Sequence, residues 1–316
     1  MTVEMSQALR VTFGETVAEL ANSDPRIVVV DGDLGSSTRA DIFEEAHPDR
    51  FYQMGVAEQN MLGVAAGMAT LGLIPFVSTF ACFAVARALD PIRVLIAQPN
   101  LPVKIMGGYA GLLAGMTGKT HLMFDDVSIM RAMPHMTVVA PADDVEARQA
   151  LGSIVDDEGP TYMRLTRQEA PRLFDQNYQF DLGDAVVLRE GDDVTLISSG
   201  VQSVRVAEAA EILAAEGVDA YVLHVPTIKP MDIEAVVAAA ERTGFVVTVE
   251  EHTIIGGLGG AVAEVLAEHS PTRMRRHGIM DIYGESGPDD ALLEKYRLSS
   301  SQVATVVRKH LDERAG

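Results

Sequence analysis

Between Glu58 and Arg87 the chain runs through 28 residues, 59 to 86, without one charged side chain. An uncharged run longer than roughly 18 residues is either a membrane-spanning helix or a segment buried inside protein. Gly63, Gly67, Gly72 and Pro75 cut this one into a helix, a turn and a strand, which points away from a continuous membrane helix. The remaining solutions are a strand covered on both faces, as in a parallel sheet, or a face hidden by another subunit.

The segments around the run repeat that pattern. A helical period over 5–22 is followed by strand-like IVVVDGD at 27–33, FYQM at 51–54, LIPFVSTF at 73–80, VKIMGG at 103–108, TVVAPAD at 137–143 and TYMRL at 161–165. Helical patterns separate these strands, as in a parallel sheet covered on both faces. From Arg167 to Asp193 both periods fade into a charged stretch holding Pro171 and two glycines. A second alternation then begins: VTLIS at 194–198, a helix at 201–216, AYVLHV at 220–225, a helix at 232–242, FVVTVEE at 245–251, and IIGGLGG leading into AVAEVLAEH. The expected fold class is therefore α/β with two doubly wound domains, residues 1–168 and 193–316, joined by a linker at 169–192. A chain of 316 residues with 47% hydrophobic content can bury two such cores.

A formal net charge of -20 repels nucleic-acid phosphates and anionic membrane surfaces, so neither is an expected partner. The single cysteine, Cys82, forms no intramolecular disulfide. The amino terminus lacks the basic-then-apolar order of a signal peptide, so a cytoplasmic location is expected.

Glu58 opens the segment EQNMLGVAAGMA, which reads as a helix following the FYQM strand. Its helical neighbours Met54, Gly55, Met61 and Leu62 include no lysine or arginine. A carboxyl group buried there without a cation would have a raised pKa and could share a proton with a ring nitrogen. A first-turn acid complementing the helix dipole is the alternative at this point. Phe80 and Phe83 lie three residues apart just past a buried strand, where both rings reach one pocket if the segment turns helical. Downstream, the glycine-rich loop GGYAGLLAGMTGKTH ends on His121. A loop leaving a parallel strand at that end lies where such sheets bind ligands.

These segments resemble the carboxy-terminal subunit of a split transketolase along essentially the whole chain. The resemblance is carried by GVAEQNMLGVAAGMA, STFACFAVARALDPIR, GKTH, VVAPAD, EEHTIIGGLGGAVAEVL and YGESG. It implies a thiamine-diphosphate-dependent transferase moving a two-carbon ketol unit from a ketose to an aldose, both usually phosphorylated. Glu58 then matches the glutamate that hydrogen-bonds the aminopyrimidine ring and favours its imino tautomer, whose exocyclic nitrogen deprotonates the thiazolium carbon. Phe80 and Phe83 match aromatic positions around the pyrimidine, whereas a third aromatic position is Ala86 here. His121 matches a histidine beside the reacting carbonyl, where a proton or a hydrogen bond is needed. Asp33 matches an acid beside the cofactor that acts through the subunit contact. Arg10, Ser37 and Arg167 match the positions holding the sugar phosphate, a task suited to guanidinium groups and a hydroxyl.

In the family, diphosphate and metal are held by a GDG loop followed by an asparagine. Here Gly32-Asp33 runs into Leu34, and Asn60 falls inside the AEQN helix. No metal ligand is assigned to this chain. An amino-terminal transketolase subunit carrying the GDG motif is implied as partner, holding most of the Mg2+ (or Ca2+) contacts in an α2β2 assembly. The uncharged run then doubles as interface core. GGLGG at 256–260 suits either a phosphate cradle or tight strand-to-helix packing.

One loop departs from its relatives. Many transketolases carry an acidic pair in the loop before the histidine, and its aspartate bonds the donor hydroxyl beside the cleaved bond. Met116 and Thr117 stand there, and Tyr109 occupies a position where a histidine often helps hold phosphate. The expected substrate is an unusual, branched or otherwise modified sugar phosphate rather than the standard pentose-phosphate pair. The beta subunit of a 2-oxo acid dehydrogenase, a deoxyxylulose-phosphate-synthase-like enzyme and a non-catalytic interaction subunit are the alternatives.

Overall fold

The computed structural model describes residues 4–315. The first sheet has seven strands in the order β10-β5-β6-β4-β3-β1-β2. Here β1 is Ile27–Asp31, β2 Phe51–Gln53, β3 Ile74–Phe80, β4 Lys104–Gly108, β5 Thr137–Val139, β6 Thr161–Leu165 and β10 Thr227–Lys229. All neighbours are parallel except β10, which runs antiparallel to β5. The second sheet is β12-β11-β8-β9-β7, from Val186–Arg189 (β7), Val194–Ser198 (β8), Ala220–His224 (β9), Phe245–Thr253 (β11) and Arg273–Ile279 (β12). Only its edge strand β7 is antiparallel.

Every residue of β1, β3 and β4 is buried, as expected of strands covered on both faces. The uncharged run resolves into the helix Glu58–Thr70, strand β3 and the helix Ala81–Arg87. Among the described residues no helix is long and apolar enough to cross a membrane.

Several elements are shorter than their apolar patterns suggest. The first helix covers Leu9–Leu20 rather than 5–22, because Met5 bridges to Pro171 and Ser6 donates its N–H to Ala170. β1 stops at Asp31, where the carboxylate turns to cap the N–H groups of Leu34 and Gly35. TVVAPAD is a strand only over 137–139, since Asp143 caps the next helix by accepting from Glu146 N–H. The stretch 169–192 holds an element of its own, β7, which completes the second sheet. The second half also lends β10 to the first sheet, and buried residues such as Phe76, Tyr162, Leu196 and Val247 belong to one continuous core.

Candidate active site

The residues singled out above gather where β1, β3, β4 and β6 end, the edge at which open parallel sheets bind ligands. Glu58 is the first residue of its helix, so it also sits at the positive end of the helix dipole. Its side chain is only 6% exposed. The expectation that no cation accompanies it is overturned. Arg87 Nη1 donates to Glu58 Oε1 at 2.9 Å, reaching it from the end of the helix Ala81–Arg87. Helical periodicity around Glu58 could not reveal a partner on another element. A different signal could have: Glu58 and Arg87 are the two charges that bracket the uncharged run, and β3 with its flanking helices folds its ends together.

From this pair a row of rings leads across the sheet edge. The Arg87 guanidinium stands 4.1 Å over the Phe83 ring, Phe83 lies 5.5 Å from Phe80, and Phe80 stacks on Tyr109 at 3.9 Å between centroids. Phe80 ends β3 while Phe83 sits in the following helix, so the turn that brings both rings together is present. His121 meets both edge-on, 5.4 Å from Phe83 and 5.9 Å from Phe80, and its Nδ1 is 2.9 Å from Thr120 Oγ1. A cavity of about 640 Å3 opens beside the row, lined by Ala57, Glu58, Gln59, Asn60, Ala86 and Arg87. Ala86, where a third aromatic was in question, contributes only a methyl group to this wall.

At the other end of the row lie Arg10, Ser37, Arg167 and Tyr109. Arg10 donates from Nε to the Arg167 carbonyl at 2.9 Å and from Nη1 to the Ser37 carbonyl at 2.7 Å. These bonds join three elements, and they commit part of its guanidinium to the backbone. Arg10 and Arg167 lie 5.9 and 5.5 Å from the Tyr109 ring centroid, respectively. Arg167 Nε is buried with no partner among the described residues. Both arginines line a second cavity of about 600 Å3, whose wall includes Asp289 and Asp290. Burial raises the Asp289 carboxyl above the usual range although it accepts the Gly115 N–H.

Asp33 is exposed just past β1, in the left-handed region at φ 65°, with its N–H held by Gln53. The buried neighbour Asp31, which no sequence pattern marks out, caps the loop after β1, and burial raises its carboxyl. In the loop before His121, Thr117 gives its hydroxyl to the Ala114 carbonyl at 2.6 Å, while Met116 is 72% exposed. Asn60 lies inside the helix Glu58–Thr70. The GGLGG segment belongs to packing: Leu258 and Gly259 N–H both donate to the Glu250 carboxylate, so the helix N-terminus already holds the protein's own acid.

A carboxylate on the cavity wall, joined through Arg87 to aromatic faces and an imidazole, is a set of groups that suits a planar, hydrogen-bonding heteroaromatic ring. Among the described residues no three His, Cys, Asp or Glu side chains converge on a metal-sized space.

Residues 5–172 match the family described as transketolase, pyrimidine binding domain, and residues 183–303 the transketolase C-terminal domain. The chain is 44% identical, over 93% of its length and 92% of the relative's, to the 6-deoxy-6-sulfo-D-fructose transketolase subunit of Clostridium sp.. It is 38% identical, over 94% and 95%, to an apulose-4-phosphate transketolase subunit of Phocaeicola vulgatus. A solved split gene transketolase, an inactive beta4 tetramer, superposes with a TM-score of 0.90 at 44% identity, covering 96% of this chain and 98% of that one. End-to-end agreement with transketolase subunits favours that reading over a deoxyxylulose-phosphate-synthase-like enzyme. The chain belongs to the transketolase family, thiamine-diphosphate-dependent transferases of ketol groups, and carries its pyrimidine-binding domain followed by its C-terminal domain.

Proposed function

We propose that this chain supplies the pyrimidine-side half of a split transketolase active site and works in an α2β2 assembly with an amino-terminal subunit. That partner would hold the diphosphate and Mg2+ or Ca2+ through its GDG loop. The observation that carries the reading is Glu58: a nearly buried carboxylate that lines a cavity and is tied through Arg87 to an aromatic row and an imidazole.

Thiamine diphosphate, when bound, supplies the carbon acid that accepts the two-carbon unit. The residues of this chain bind and orient. Glu58 hydrogen-bonds the pyrimidine nitrogen, and Phe80 and Phe83 pack the ring. His121 moves a proton at the donor's oxygen. Asp33, exposed at the end of β1, acts from the subunit contact. Arg10, Ser37 and Arg167 hold the anionic end of the sugar, with Arg167 presenting the less committed guanidinium. Gly67, Leu71, Val94 and Leu95 are exposed on the uncharged run and just beyond it, which suits the same contact.

The proposed donor is a modified sugar carrying an anionic group. Two relatives, named for 6-deoxy-6-sulfo-D-fructose and for apulose 4-phosphate, support that class, and so does the missing acidic pair in the loop before His121. The test is turnover by the purified chain, by its partner, and by the mixture, with and without thiamine diphosphate. Only the complete mixture is expected to turn over, and calorimetry is expected to show no micromolar cofactor binding by this chain alone. Tight binding by the isolated chain contradicts the split site, and a mixture that assembles without turnover marks an interaction subunit.

A further inference from the structure

We infer that Arg87 is a positioning residue for Glu58, fixing one carboxylate oxygen so that the other is presented to the bound ring. The inference rests on the role proposed for Glu58 and adds a residue to it.

Arg87 is tied to the start of the Glu58 helix at two points. Its side chain donates to Glu58 Oε1 at 2.9 Å, and its carbonyl accepts from Gln59 Nε2 at 3.0 Å. The guanidinium is also stacked 4.1 Å over Phe83, one ring of the aromatic row. One planar group therefore sets the carboxylate against the ring that packs beside it. A guanidinium can stack and donate in plane at once, which an ammonium cannot. Glu58 Oε2 accepts no hydrogen bond from any described residue, so one lone-pair edge is free while the other is held.

The contact has little to do for the fold. Arg87 is 51% exposed, and ion pairs of that exposure contribute little to stability. Its counterpart is 6% exposed and lines the same cavity. Holding a carboxylate within a few tenths of an ångström of a working geometry takes a second side chain whose own rotamer is locked, here by the stack on Phe83.

The experiment uses the chain assembled with its partner subunit and compares Arg87→Met and Arg87→Lys with Glu58→Gln. In Arg87→Met, kcat at saturating cofactor falls roughly tenfold, the scale of one lost charge-assisted hydrogen bond. Calorimetric affinity for thiamine diphosphate weakens by a similar factor, while donor KM stays within twofold. Arg87→Lys recovers only part of both losses, because an ammonium still reaches the carboxylate but cannot be fixed at the same time by stacking on Phe83. The inference is overturned if Arg87→Met keeps wild-type affinity and kcat while Glu58→Gln is inactive. It is equally overturned if Met and Lys lose activity alike with an equal fall in melting temperature, the mark of a structural role. If Glu58→Gln itself turns over normally, the Glu58 assignment fails first and takes this one with it.

Discussion

Each of the two sheets ends in a helix N-terminus with a glutamate beside it, yet the two edges are used in opposite ways. At the end of β11, Glu250, Glu251 and His252 are all buried. Glu250 takes the N–H groups of Leu258 and Gly259 at 2.7 and 3.0 Å, where an outside anion would otherwise dock. Glu251 accepts the Leu112 N–H at 2.6 Å and pairs with Arg205 at 2.7 Å. A Cβ on Gly257 would meet Glu250 Oε2 at 2.1 Å, so no space is left for a ligand. At the first sheet's edge Glu58 has one oxygen engaged and a cavity of about 640 Å3 before it. The same crevice is sealed by the protein's own carboxylates in one domain and kept open in the other; function follows what fills it rather than the fold.

The sharpest way to break this contrast is to neutralise each acid. Glu58→Gln in the assembled enzyme is expected to lower kcat by roughly 10^2 to 10^4-fold, the range for losing a proton-handling group. Its melting temperature should stay near wild type, since the Arg87 pair is half solvated. Steady-state rates and a thermal melt check both parts; a variant that melts early would move Glu58 to the structural side. Glu251→Ala should behave the other way round. It leaves Arg205, 9% exposed, without its carboxylate, a loss on the order of 3–5 kcal/mol in a denaturant titration. The same carboxylate holds the loop that leads to His121 by accepting the Leu112 N–H, and it packs so close that a Cβ on Gly111 (φ 81°) would meet Glu251 Oε1 at 2.3 Å. A fall in kcat should therefore accompany the lost stability in this variant.

The open site was more legible in the sequence than the sealed one. Phe80, Phe83 and His121 stand at the ends of the fully buried strands β3 and β4 or on the segments that follow them, and Glu58 opens the helix that leads from the short edge strand β2 into the uncharged run, so their convergence follows from topology. The Arg87 partner escaped because it comes from another element. Glu250 and Glu251 escaped because FVVTVEE reads as a strand running out into solvent, whereas β11 continues buried through His252. The strands missed altogether are sheet edges. β7 is half exposed, β10 is three residues long, and β12 carries Arg273, Arg275 and Arg276, charges that protect an edge and erase its apolar signal.

The sealed edge also makes a pH prediction. Burial pushes the Glu250 carboxyl up to about 7 from an ordinary 4.5. A raised pKa favours the folded state fully below about 4.5, and that contribution is lost as pH rises through 7. Replacing the acid by Glu250→Gln removes the loss. Relative to wild type the variant should gain on the order of 2–3 kcal/mol between pH 4.5 and pH 8, read from paired urea titrations. Neighbouring His252, lowered to about 4 by burial, runs in the opposite sense: its contribution is present above 6.5 and lost as pH falls through 4. His252 Nδ1 lies 3.6 Å from Glu250 Oε2, so the two proteins are compared in a His252→Asn background as well, where the difference isolates Glu250 and a pH-independent difference would show that Glu250 does not titrate in this range.

The smallest expected effect lies in the loop where the two regions touch. Gly115 is held by Asp289, Leu112 by Glu251, and Thr117 spends its hydroxyl on Ala114, so the loop before His121 is rigid and presents no charged acceptor. His121 N–H closes the same turn on the Gly118 carbonyl at 3.0 Å, which places residue 117 one turn away from the imidazole. A site lacking an acidic acceptor cannot select strongly for a donor hydroxyl at that point, whereas an added carboxylate can. For Thr117→Asp the ratio of kcat/KM for xylulose 5-phosphate to that for the best modified donor should rise roughly tenfold, about the value of one hydrogen bond to a charged group. The wild type should prefer the modified donor. A donor panel on both assembled enzymes decides it. A wild type that handles xylulose 5-phosphate best, with an unchanged ratio in the variant, would show that selectivity is set at the Arg10 and Arg167 end, and Arg167→Lys would then be the substitution that shifts it.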